Sequence, residues 1–244
     1  MKKRRKMLLF LTMFVSLSIA LCGCRGDKSS ADTSSITIGI PQDIEDSLDC
    51  HKAKAAGTKE VLFNVYEGLV KPDSDGNFIP AVASNYVIEE EGKKYIFELR
   101  KGVKFHDESL VTVEDIKYSL ERCADANDET TFVPAYSNLE SVDILDETTI
   151  QITLKQKDTE FLAYMTTAII PKENKYPGTN PIGTGPYQFV SRTPQEQIVF
   201  KKFDSYWGTG ANIENVIFKV MVSSFPFITI IDCSYLLSKC NCCA

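Results

Sequence analysis

Eight cysteines and two histidines limit the chemistry open to this 244-residue chain. Four of the cysteines, Cys233, Cys240, Cys242 and Cys243, crowd the C-terminal end and raise the question of a metal or redox centre. Four thiolates reach tetrahedral corners most readily from two separated Cys-x-x-Cys-type pairs, and a C-x-C-C cluster does not supply them. His106 is followed by Asp107, an acid–base pair by type, but the two are neighbours in a polar turn. No Gly-x-Ser-x-Gly or His-Glu-x-x-His pattern accompanies them, so His106 reads as a hydrogen-bonded turn residue. Gly183-Thr184-Gly185-Pro186-Tyr187 has glycines that let backbone N–H groups approach an anion, yet no Gly-Lys-Ser/Thr follows, and a tight turn into a strand is favoured. Asp73-Ser74-Asp75-Gly76-Asn77 reads as a solvated turn, because it lacks the bidentate Glu and ligand spacing of a calcium loop. Catalysis has little support, and neither a cofactor nor a metal is expected.

One further cysteine has surroundings that specify a chemistry. Lys2, Lys3, Arg4, Arg5 and Lys6 precede an apolar run from Met7 to Leu21, too short to span a membrane comfortably, which together read as a secretion signal. The run ends Leu21-Cys22-Gly23-Cys24, with a small residue before Cys24 and a leucine three before it, and this resembles a lipoprotein cleavage box. Residues 1–23 are therefore expected to be a signal peptide and Cys24 the lipidated first residue of the mature chain. An ordinary secreted protein with an incidental cysteine is the alternative. Each buried CH₂ of an acyl chain contributes about 0.8 kcal/mol, so two or more chains hold a protein on a membrane. Residues 24–35 are polar and small, without apolar period, and read as a flexible tether.

Removing the five basic leader residues from the 27 Lys and Arg leaves 22 against 33 Asp and Glu, a balance of −11. Such a chain is a poor partner for nucleic acid or an anionic membrane surface. The span from Ile36 to Met221 is long enough, and apolar enough, for one domain or two small lobes.

The elements follow from periodicity. Tyr95, Phe97 and Leu99 alternate with Ile96, Glu98 and Arg100, predicting a strand. Lys101-Gly102 breaks it, a short run about Val103 and Phe105 follows, and His106-Asp107-Glu108-Ser109 turns the chain. Thr112 with Asp115 three residues on is a capping-box pair, and Ile116, Leu120 and Cys123 then share one helical face. Val61, Leu62, Val65, Tyr66 and Leu69 share another, predicting a helix from Gly57 to Leu69 with Phe63 and Tyr66 in the core. Hairpins are expected where Tyr86 to Ile88 and Tyr95 to Leu99 flank Glu91-Gly92, and where Val142 to Leu145 and Ile150 to Leu154 flank Asp146-Glu147-Thr148. Phe161 to Ile170 reads as a short helix stopped by Pro171, and Ile36 to Ile40, Tyr187 to Val190, Gln197 to Phe203 and Asn215 to Met221 as strands.

The run from Leu99 to Asp107 (LRKGVKFHD), with Thr112 to Ile116 (TVEDI) and Ser119-Leu120-Glu121-Arg122, resembles the extracellular solute-binding proteins of peptide- and nickel-type ABC importers, family 5. Asn64 to Leu69 (NVYEGL), Gly183 to Tyr187 (GTGPY) and Tyr206-Trp207-Gly208 match it in the same order. Glu108 departs from the pattern, which has glycine after the His-Asp, as suits a positive-φ turn. Cys50 stands where the family usually has proline.

The resemblance implies an α/β, periplasmic-binding-protein-like (type II) two-lobe fold with an extra subdomain, of which this chain holds the N-terminal part. Residues 36–70 and 181–221 would form the first lobe and residues 71–180 the inserted subdomain. In the family the loop before the first helix faces the ligand, making Lys54, Ala55, Ala56, Gly57 and Thr58 candidate contacts. The implied function is non-enzymatic: a lipoprotein that captures oligopeptides, dipeptides or similar solutes outside the membrane and delivers them to the permease subunits. The carboxylate that holds a peptide's free amine comes, in the family, from a second lobe absent here, so weak binding or none is expected of this form. Residues 222–244 resemble nothing upstream and read as a foreign or frame-shifted end on a truncated protein. A nonfunctional fragment and a peptide sensor that signals without transport remain as alternatives.

Overall fold

The computed structural model describes residues 34–221, with residue 46 excepted. The leader, Cys24, most of the tether and the Cys-rich tail 222–244 lie outside the described residues.

Two four-stranded sheets carry the described chain. The first joins β1 (Ser35–Ile40), β8 (Tyr187–Thr193), β9 (Gln197–Lys202) and β10 (Asn215–Val220) in the order β1-β10-β9-β8. β1 runs parallel to β10, with Ser35 opposite Asn215 and Ile40 opposite Val220, while the other pairs are antiparallel. The second sheet joins β4 (Ala83–Glu89), β5 (Lys94–Leu99), β6 (Leu139–Ile144) and β7 (Thr149–Leu154) in the order β4-β5-β7-β6, all antiparallel. Both expected hairpins are here. Between the sheets in sequence lies a two-stranded ribbon, β2 (Val70–Pro72) with β3 (Phe78–Pro80). Its turn is closed by Asp73, whose Oδ1 accepts from the amides of Asp75 and Asn77.

The alternation read from the sequence sorts the second sheet's faces. Tyr95, Phe97, Ile150, Ile152 and Leu154 are buried, and Glu98 and Lys155 are exposed. The helix α2 (Val113–Ala124) covers the buried face with Ile116, Leu120 and Cys123. Its capping box is complete: Thr112 Oγ1 accepts from the Asp115 amide, and Asp115 Oδ2 accepts from the Thr112 amide. Two of the otherwise orphaned N–H groups are satisfied there. A second core, with Ile38, Val61, Leu62, Val65, Tyr66, Ile198, Phe200 and Phe218, lies under the first sheet.

Two expected helices are shorter than predicted. α1 spans only Ala56–Leu62, and Phe161–Thr166 is a 3₁₀ turn that does not continue to Ile170. Beyond Leu62 the backbone is claimed by tertiary partners. The Asn64 and Val65 carbonyls accept from Tyr187 and Gly185, the Glu67 carbonyl from Ile169, and the Gly68 and Leu69 carbonyls from Val82 and Ala81. Val65, Tyr66 and Leu69 are buried as their spacing implied, but from turn and extended backbone. Phe63, expected in the core, is 51% exposed.

Candidate functional site

The motifs scattered along the sequence meet at one junction. The turn 183–186 lies so close to the Asn64–Val65 backbone that a Cβ on Gly183 would stand 2.1 Å from the Val65 oxygen, and one on Gly185 2.5 Å from the Asn64 oxygen. These glycines serve backbone approach to protein, not to an anion. His106 holds the same turn from the other side. Its Nδ1 accepts from the Gly183 amide at 3.3 Å and its Nε2–H donates to the Gly185 carbonyl at 3.0 Å, while its own amide donates to the Gly183 carbonyl. Both ring nitrogens are occupied and the ring meets Phe203 edge-on, so His106 is the hydrogen-bonded turn residue its surroundings implied. Burial lowers its pKa to about 4, keeping the imidazole neutral.

Glu67, within Asn64–Leu69, ties that motif to Tyr206-Trp207-Gly208. Its carboxylate accepts from Trp207 Nε1 at 2.7 Å, the Tyr206 hydroxyl at 2.8 Å and Lys71 Nζ at 3.3 Å. Arg100 lies over the Trp207 ring at 4.4 Å. Burial raises the Glu67 pKa despite these partners. Glu108, at the position where glycine was expected, has φ +70°, and Lys104 and Ser205 hold its carboxylate.

The loop expected to contact a ligand lies elsewhere, before α1. Lys54, Ala56 and Gly57 are exposed, Ala55 half-buried and Thr58 buried. Glu45 closes this loop: its Oε2 accepts from the amides of Lys54 and Ala55, and its own amide donates to Thr58 Oγ1. Thr58 is thus a support rather than an exposed contact.

Beside the loop opens a cleft of about 330 Å³, lined by His51, Ala53, Lys59, Phe63, Val133 and Tyr164 among others. Its wall is fixed by a charged network. Arg122 donates to both oxygens of Asp49, at 2.9 and 2.5 Å, and to His51 Nδ1 at 3.1 Å, while His51 Nε2–H donates to the Ala168 carbonyl at 2.8 Å. Burial opposes ionisation of Asp49, but the Arg122 hydrogen bonds and charge hold its carboxyl below the usual range. Burial, with the neighbouring guanidinium, lowers the His51 pKa and leaves a neutral ring. Neither Lys59, Phe63, Val133 nor Tyr164 was singled out as a cleft residue from sequence. Phe63 falls outside the apolar face of Val61, Leu62, Val65, Tyr66 and Leu69, and that off-face position is the signal in the sequence.

Residues 77–224 match the profile of bacterial extracellular solute-binding proteins, family 5 Middle. The chain belongs to the bacterial extracellular solute-binding proteins of family 5. A glutathione-binding protein of Salmonella choleraesuis is 31% identical over 172 residues, covering 67% of this chain and 34% of the relative. The chain thus spans about a third of the length of the curated relatives it matches. Among solved structures, the periplasmic binding protein AgaA of A. tumefacien in complex with agropinic acid superposes with a TM-score of 0.71 at 28% identity, over 77% of this chain and 40% of that one. NikZ of Campylobacter jejuni in complex with Ni(L-His) gives 0.70 at 25%, over 78% and 39%. The peptide-bound DppA of Helicobacter pylori gives 0.69 at 24%, over 85% and 45%. The fold is the α/β fold of periplasmic binding proteins, present here in part.

Proposed function

We propose that this chain belongs to the solute-capturing component of an ABC importer, a non-enzymatic protein held outside the membrane by lipid on Cys24, that takes up a peptide or peptide-like solute and delivers it to the permease subunits. The observation that carries this reading is the cleft of about 330 Å³ beside the loop 54–58, in a chain of this family. Lys54, Ala55, Ala56 and Gly57 would present the loop to the solute, with Thr58 and Glu45 holding its shape. Residues 36–70 and 181–221 would act as the first lobe and 71–180 as the subdomain inserted in it. A solute that touches a second wall only when the cleft is shut binds the closed form better and so drives closure. The glutathione-binding relative favours a peptide-like solute.

Contact with a single wall is weak, so the test reads it directly. Backbone amide NMR shifts of the full chain are followed on adding millimolar mixed tripeptides. A Cβ at Gly57 would meet nothing within 4 Å and the residue has no positive φ, so Gly57→Trp leaves the fold intact while filling the space before the loop. Shifts at residues 54–58 that vanish in Gly57→Trp are expected. Shifts confined to other surfaces, or unchanged by the substitution, would sink the assignment.

A further inference from the structure

Among the described residues, two cysteines remain that the solute reading does not use. Cys50 and Cys123 are both free, and both line the cleft of about 330 Å³. They come from different elements, Cys50 from the loop ahead of α1 and Cys123 from the last turn of α2, 73 residues apart in sequence. Their chain neighbours are locked together. Asp49 and His51, on either side of Cys50, both bond to Arg122, the residue before Cys123. The segments are thus held side by side by three hydrogen bonds.

We propose that Cys50 and Cys123 form a redox modification site, closing to an intramolecular disulfide when the protein meets a low-molecular-weight disulfide. Cys50 is partly exposed and Cys123 is 1% exposed, which sets the order of events. The Cys50 thiolate attacks one sulfur of the small disulfide, forming a mixed disulfide and expelling one thiolate. The Cys123 thiolate then attacks the Cys50 sulfur and expels the second. The two protons released by the protein are taken up by the two leaving thiolates, so one small disulfide is reduced to two thiols as the protein is oxidised. Burial raises the pKa of both protein thiols, that of Cys123 to about 12, so exchange is slow at neutral pH and accelerates as pH rises. An exported protein of this family works where such disulfides persist. The bond would bridge the cleft wall and pin the loop carrying residues 54–58 to α2.

The test is peptide mapping of the folded full chain after incubation with oxidised glutathione, at pH 7 and pH 9. Trypsin places Cys50 in the peptide 29–52 and Cys123 in 123–155, so their bond gives one distinctive cross-linked mass, separable from any involving the other cysteines. The expected result is this cross-link, formed on the order of 100-fold faster at pH 9 because the thiolate fraction rises about tenfold per pH unit, and absent in both Cys50→Ala and Cys123→Ala. Cys50→Ala should leave Cys123 unreacted, and Cys123→Ala should trap glutathione on Cys50. Stable glutathione on Cys50 in the unsubstituted chain, Cys50 joined to a tail cysteine, or a cross-link that forms only after denaturation would each overturn the proposal. None of these readouts depends on solute binding.

Discussion

Glutamate at position 108 occupies a left-handed conformation, where the sequence resemblance leads one to expect glycine, and its carboxylate is held by an ion pair to Lys104 and two contacts from Ser205. A β-carbon in that conformation is costly to the backbone, whereas the ion pair lies in solvent and is screened. Relief of the backbone wins, and Glu108→Gly is expected to raise the midpoint of a urea melt. A lower midpoint would mean that the Lys104 and Ser205 contacts outweigh the backbone strain. Gly183 is the opposite case. A methyl group 2.1 Å from the Val65 oxygen has no room, and the contact is backbone rather than a movable side chain. Gly183→Ala is therefore expected to cost about 3 kcal/mol, read as a lower denaturant midpoint with unchanged slope. The glycines were visible in the sequence, but their partner 118 residues earlier was not. Composition at one position carries the permissiveness of the backbone and says nothing about who approaches it.

At the scale of elements, local signals served where the chain satisfies its own backbone. α2 is such a case: its cap, its apolar face and its boundaries follow from residues within four positions of each other. Thr112→Ala removes both the side-chain acceptor for the Asp115 amide and the hydroxyl that donates to the Asp115 carboxylate, at a cost of about 1 kcal/mol. Thermal denaturation checks this, and Thr112→Ser should recover most of the loss. Both hairpins were legible for the same reason, since period-two alternation and polar turns are properties of neighbours. The helix expected beyond Leu62 is absent because Val65, Tyr66 and Leu69 keep a helical spacing while the Val65 carbonyl accepts from Gly185 and the Leu69 carbonyl from Ala81 and Ala83. The candidate loop was found through family resemblance alone. Nothing in Lys54 to Thr58 announces a cleft, and the support from Glu45 is a long-range contact across a turn.

For the molecule as a whole, buried titratable groups set the response to acid. His106, with a pKa lowered to about 4 from 6.5, is neutral in the fold but binds a proton in the unfolded chain between those values. Stability attributable to it is full above pH 6.5 and is lost as pH falls through 4, by at most about 3 kcal/mol. His51, with its pKa also lowered, has the same sign, as does Asp49 below 3.8. Glu67 opposes them, because its raised pKa favours folding as the carboxyl protonates. Through His106, urea midpoints are expected to fall as pH drops from 6.5 to 4.5. His106→Gln, which does not titrate, should flatten the slope over that interval, and an unchanged slope would remove His106 from the account.

The parallel pairing of β1 with β10 has a bearing on time as well as shape. The first described strand bonds to the last, so Ser35 to Ile40 have no sheet to join until Asn215 to Val220 have been synthesised. Closing so long a loop is entropically expensive and slow, whereas the second sheet is assembled from hairpins of near neighbours. The middle of the chain thus gains structure first and the sheet seam through β1 closes last. A polypeptide threaded through a narrow channel from its N-terminal end benefits from that schedule, because its leading strand stays unpaired until almost all of the described chain has been made.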